Sequence, residues 1–205
     1  MLRERIIQQA TLLFGRDGIK NVSMDDLASS LGISKRTIYM NFKNKEDILK
    51  NCIHVYRENI SCTMNEIMGQ SENIICGCLQ IINHYKYVRL PAAIFWEDVY
   101  KYYPEIYQSI VEDAEKSSVC LKRLLKEGIE DNYIRKNLSL DETISRLDIS
   151  TFIFIFITGM YSVSSFLLRT DLIFNIMTNM LRGISTDKGI EIIDKYIASL
   201  PNSNN

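Results

Sequence analysis

The chain has 205 residues, 46% of them hydrophobic and 24% charged, with three prolines and no low-complexity tract. That composition excludes a disordered or collagen-like chain and is enough to bury a sizeable core in one large domain or two small ones. The net charge of −1 hides an asymmetry, because residues 1–50 carry nine Lys/Arg against six Asp/Glu while the remainder carries fifteen against nineteen, so a polyanionic partner is expected for the head alone.

Five cysteines, Cys52, Cys62, Cys76, Cys78 and Cys120, are an odd number without a CxxC pair, which points to reduced thiols in a cytoplasmic protein. In chain order, the opening MLRERIIQQA breaks its apolar run with Arg3, Glu4 and Arg5, so no secretion signal is expected. Ile6, Ala10, Leu13 and Phe14 follow one helical face. Gly15 and Gly18 offer a stop, with Gly18 suited to a left-handed turn. Ser23 caps the next helix, with Asp26 three residues on completing a reciprocal capping box. Gly32 ends that helix, Ser34 caps a third to about Asn41, and Asn44 caps a fourth whose first turn holds Glu46 and Asp47.

The fourth helix is expected to run toward Met68, and a fifth through Ile81 to about Arg89. Pro91 and Pro104 punctuate an aromatic block, AAIFWEDVYKYYPEIY, before a helix from Glu105 to Asp131 with Asn132 as a left-handed terminator. Leu138 to Asp141 open a stretch whose residues 149–168 carry no charge. Its length matches a bilayer span, but Ser150, Thr151, Thr158, Ser162, Ser164 and Ser165 dilute it and no basic cluster flanks it. A helix buried in a core or subunit interface accounts for it without a membrane. FIFIFI, Phe152–Ile157, fits a strand or a helix, and its helical neighbours decide for helix. A shorter helix over about 172–182 and a last one from Thr186 and Asp187, with Ile190, Ile193, Ile197 and Leu200 on one face, complete an all-α chain.

The functional signal lies in MDDLASSLGISKRTIY, Met24 to Tyr39. Leu27, Leu31, Ile33 and Ile38 are apolar, Ala28 is small, and Gly32 follows it by four, which is the spacing of a helix–turn–helix. In such a unit the second helix enters the major groove. Lys35 and Arg36 then face guanine acceptors, and Thr37 offers a hydroxyl and a methyl. Tyr39, Lys43 and Lys45 are placed for phosphates, and Ser34 puts a helix N-terminus toward an anion. Ser23, at the start of the preceding helix, joins the candidate DNA-contacting set.

This stretch resembles the TetR family of bacterial transcriptional regulators. The resemblance is carried by AxxLFGRDGIKNVSMDDLASSLGISKRTIYMNFKNKEDIL, Ala10 to Leu49, about the first quarter of the chain; the rest agrees only in architecture. Asn41 departs from the His or Tyr common in the family, so no contact is carried onto it, and Arg36 stands at a variable position. The resemblance implies an N-terminal DNA-binding domain, 1–46, and a helical ligand-binding and dimerisation domain, 47–205. It implies a homodimer on a pseudo-palindromic double-stranded operator, and a small effector whose binding shifts the fourth helix. A bundle of the two last long helices of each subunit is the implied dimer interface, with Phe156, Ile190, Ile193 and Ile197 as candidates.

The aromatic block suggests an apolar or aromatic effector. Cys78, His84, Trp96, Tyr100, Tyr103, Phe152 and Tyr161 are candidate pocket residues, with ordinary core packing as the alternative for each. No metal or cofactor is expected, since His54 and His84 form no HxxxH and Cys76-Gly77-Cys78 lacks zinc spacing. The absence of GxSxG, P-loop or GxGxxG motifs lowers the alternative of a helical enzyme, and an adaptor would leave the basic array without a purpose.

Overall fold

A computed structural model describes residues 1–85, 93–146 and 167–200. Its helices are α1 (Leu2–Asp17), α2 (Met24–Leu31), α3 (Lys35–Tyr39), α4 (Lys45–Gln70), α5 (Ile74–Tyr85), α6 (Ala93–Tyr102), α7 (Pro104–Glu130), α8 (Leu167–Ile184) and α9 (Asp187–Ser199). Residues 140–146 are helical as well. Among the described residues there is no strand, only an isolated antiparallel bridge between Ile134 and Ser185. The fold is all-α. Most of the uncharged 149–168 segment lies outside the described residues, and within them no helix is long and apolar enough to cross a membrane.

The expected punctuation holds, with one difference. Gly18 ends α1 at φ +84°, but its ψ of 154° is extended rather than left-handed helical. That region is open in practice only to glycine. Gly32 closes α2 in the left-handed conformation, φ +65° and ψ 32°, and its N–H returns to the carbonyls of Ala28 and Ser29. Asn132 takes φ +61° after α7. Thr186 caps α9 by accepting from Gly189 N–H. α8 runs longer than the expected 172–182, beginning at Leu167.

The chain divides into two compact units. Among the described residues the first comprises 1–62 and 93–113, so it takes in α6 and the start of α7 as well as the N-terminal helices. Its core is built from Ile6, Ala10 and Phe14 of α1, Leu27 of α2, Ile38 of α3, Ile48 and Leu49 of α4, and Phe95 and Val99 of α6. The second unit centres on Ile75 and Leu79 of α5, Ile134, Leu181 of α8 and Ile193 of α9. There Arg135 Nε donates to Ser185 O at 2.8 Å, and Lys188 lies 3.8 Å from the Tyr133 ring, tying the turn after α7 to the start of α9.

Candidate functional site

A five-residue helix does not hold itself together in water. α3 stands because its underside is anchored: Ile38 is fully buried and Phe42 nearly so. Truncating Ile38 to Ala would cost about 2–5 kcal/mol at such a site. The caps set its direction. The Ser34 side chain accepts from Thr37 N–H at 3.1 Å, and Ser23 and Asp26 exchange bonds around the start of α2. Two donors from Ser23, its hydroxyl and its backbone N–H, hold the Asp26 carboxyl below the usual carboxylate range.

The exit from α3 is clamped as well. Asn41 Nδ2 donates to Thr37 O at 2.8 Å, and Asn41 O accepts from the Arg3 guanidinium at 2.6 Å. Arg3 also reaches Asn51 Oδ1 at 3.0 Å and lies 4.3 Å over the Phe42 ring. Asn41, unassigned by sequence, thus binds α3 to α1 through Arg3. Nothing in the local sequence signals that pairing, because the partners are 38 residues apart.

The candidate DNA-contacting residues fall into three groups. Ser23, Ser34 and Thr37 are occupied by capping; Thr37 Oγ1 sits 2.7 Å from Ser34 Oγ. Lys35 Nζ donates to Asp25 Oδ2 at 2.7 Å, and that bond holds its ammonium charged above the ordinary lysine range. Arg36 is exposed with no side-chain partner among the described residues. Tyr39 is exposed, and Lys43 projects into solvent. Lys45 turns inward instead. Its ammonium lies 3.5 Å from Lys20 O and 5.8 Å from the Phe14 ring centroid, and burial lowers its pKa against the opposing charges of Asp98 and Asp26.

α6 meets this head at the α1–α2 turn. Asp98, buried, accepts from Lys20 N–H at 2.8 Å, and Lys20 Nζ lies 3.8 Å from the Tyr102 ring centroid. A Cβ on Gly18 would come within 3.0–3.1 Å of Ile94 and Asp98. Glycine is therefore required there twice, by its φ and by the closeness of α6. Sequence reasoning passed over Asp98, although it shares a helical face with Phe95 and Ile94, three and four residues before it.

The pocket candidates are scattered. Trp96 and Tyr103 pack on the first core, and Trp96 Nε1 is buried without a hydrogen-bond partner among the described residues. Tyr100 is 64% exposed and stacks edge-on with Tyr107 at 5.1 Å. In the second unit His84 is exposed, whereas Cys78 packs on the core with its thiol desolvated. Phe152 and Tyr161 lie outside the described residues, as does Phe156 of the dimer set. Ile193 is fully buried in the second core of this chain, Ile190 is half-buried and Ile197 is exposed. No cluster able to hold a metal ion occurs among the described residues.

A family model described as "Bacterial regulatory proteins, tetR family" matches residues 6–52. An HTH-type transcriptional regulator of Staphylococcus aureus (strain MRSA252) is 38% identical over 164 residues, covering 68% of this chain and 86% of that protein. Another, from S. aureus strain bovine RF122, is 37% identical over 59 residues, 29% of this chain and 30% of that relative. The chain thus spans under a third of the latter's length. By structure it is similar to a Saccharomonospora viridis protein solved in complex with choline, with a TM-score of 0.72 at 19% identity, covering 90% of this chain and 98% of that one. That likeness shows a shared fold.

Proposed function

The chain belongs to the TetR family of DNA-binding bacterial transcriptional regulators, and on that premise we propose that it is a repressor. It binds a pseudo-palindromic operator as a homodimer and is released by a small apolar or aromatic effector. The enzyme alternative is not carried forward, because the curated relatives are transcriptional regulators. The observation that carries the reading is α3: a short helix, capped and clamped at both ends, that leaves Arg36 exposed with no side-chain partner among the described residues. One such helix offers few base contacts, and pairing two copies doubles them with matched spacing. Exposed Ile176 on α8 and Ile197 on α9 support a surface for a second copy.

Effector control is supported by the seating of α6. Because Asp98 holds the Lys20 amide, a ligand that displaces α6 also displaces the head from which α3 projects. Such a ligand lowers operator affinity by its preference for the displaced form. The S. viridis protein of similar fold, holding choline, supports a small-molecule site in the helical body over 47–205. Operator binding places the protein in the cytoplasm.

The test is binding to the DNA adjoining its own gene, followed by fluorescence anisotropy across a salt series. The affinity is expected to fall steeply and log-linearly with salt. Failure to bind any duplex at low salt would sink the proposal.

A further inference from the structure

We propose that Met40 is a base-reading residue that recognises a thymine methyl group, and that with Arg36 it defines an operator half-site of a guanine and a thymine about two base pairs apart. The inference rests on α3 being the recognition helix. Met40 is 78% exposed, beyond every other large hydrophobic residue described except the N-terminal Met1. Isolated exposed apolar residues are common and mean little alone. This one shares a face with Arg36 and Tyr39, at the i, i+3 and i+4 positions of one helix, while Ile38 and Phe42 point into the core.

Helical backbone geometry holds the Met40 Cα–Cβ direction away from the core. Met40 has helical φ and ψ, −71° and −19°, and donates its N–H to Arg36 O at 3.0 Å. The next residue, Asn41, is pinned to Thr37 and Arg3. On the same helix Lys35 is engaged by Asp25 and the Thr37 hydroxyl by Ser34. With Tyr39, also exposed on this face, assigned to the phosphate backbone, the groups left for base edges are a guanidinium, suited to the guanine N7 and O6 acceptors, and a thioether, suited to the one apolar feature of the major groove, the thymine 5-methyl. Four helical residues rise about 6 Å, close to two base-pair steps of 3.4 Å, which sets the separation.

The experiment begins with selection of bound duplexes from a random library by the full-length protein. Each selected thymine is then replaced by deoxyuridine, which deletes only the methyl group. At one position per half-site the wild type should lose about fourfold in affinity, the worth of one buried methyl, and about fifteenfold with both half-sites altered. Met40→Ala should bind thymine and deoxyuridine sites equally, and Met40→Leu should restore the discrimination. Circular dichroism verifies that each variant is folded, as expected for a side chain in solvent. Wild type that is indifferent to deoxyuridine at every selected thymine overturns the proposal, as does Met40→Ala with undiminished sensitivity. Absence of binding to any duplex overturns the regulator reading itself, which separates the two failures.

Discussion

Asp98 offers the sharpest test of how α6 is joined to the DNA-binding helices. Its carboxylate is buried and accepts the Lys20 N–H at 2.8 Å, and the nearby Lys45 ammonium compensates its charge. Asp98→Ala removes a hydrogen bond to a charged acceptor, worth about 2 kcal/mol, and leaves the part-buried Lys20 amide without it. For a chain of this size each kcal/mol moves the melting midpoint by roughly 2–4 °C, so a drop of about 4–8 °C is expected. Asp98→Asn keeps an acceptor in nearly the same place without the charge and should fall between wild type and Ala. The assay is thermal unfolding followed at 222 nm, with operator affinity measured in parallel. Loosening α6 should also weaken DNA binding in the alanine variant while leaving base preference unchanged. An alanine variant melting within about 1 °C of wild type would refute the reasoning, since the loss of a hydrogen bond to a buried carboxylate costs more than that. Asn and Ala variants melting together would equally refute it, because the acceptor would then contribute nothing.

Two further predictions concern parts of the chain that sequence patterns left undecided. Arg3→Ala removes two hydrogen bonds and the stacking on Phe42, and should cost about 1–3 kcal/mol in urea unfolding together with a uniform loss of operator affinity; a change in base preference instead would place Arg3 at the DNA. Burial raises the Cys52 and Cys78 thiols from 9.0 to about 11, so a thiol reagent at pH 8 should label Cys62 and Cys120 at once and reach Cys52 and Cys78 only after denaturant is added. The sign of the pH effect follows from the same shift. The unfolded chain ionises these thiols first, so their contribution to stability is complete below about pH 9 and is lost as pH rises through about 11. Equal urea midpoints at pH 8 and pH 10.5, with Cys52→Ala and Cys78→Ala as controls, would contradict it.

Much of the head was legible one residue at a time, because local rules govern it. Ser23 with Asp26, Ser34, Asn44 and Thr186 all cap within three residues of their partners, and the glycines at 18 and 32 and Asn132 take the positive φ that their neighbours demand. The apolar spacing from Ile6 to Phe42 was sufficient to foresee a helix–turn–helix, since burial follows helical periodicity. The family resemblance rested on the same local pattern.

What each polar side chain does was decided only by packing. Lys35 looked like a base reader, but Asp25, ten residues away, claims its ammonium. Lys45 looked like a phosphate contact, but it turns toward Phe14 and Lys20 O. Asn41 and Arg3 pair across 38 residues, and Lys20 and Asp98 across 78. Ile193, placed by its helical face in a dimer set, is buried among other residues of the same chain. Periodicity says which face of a helix is apolar, not which neighbour covers it. A charge or amide finds its partner through the close approach of distant segments, and that approach belongs to the tertiary fold. The sequence alone therefore determined where the helices begin, end and face, while tertiary contacts decided which side chains remain free to meet DNA.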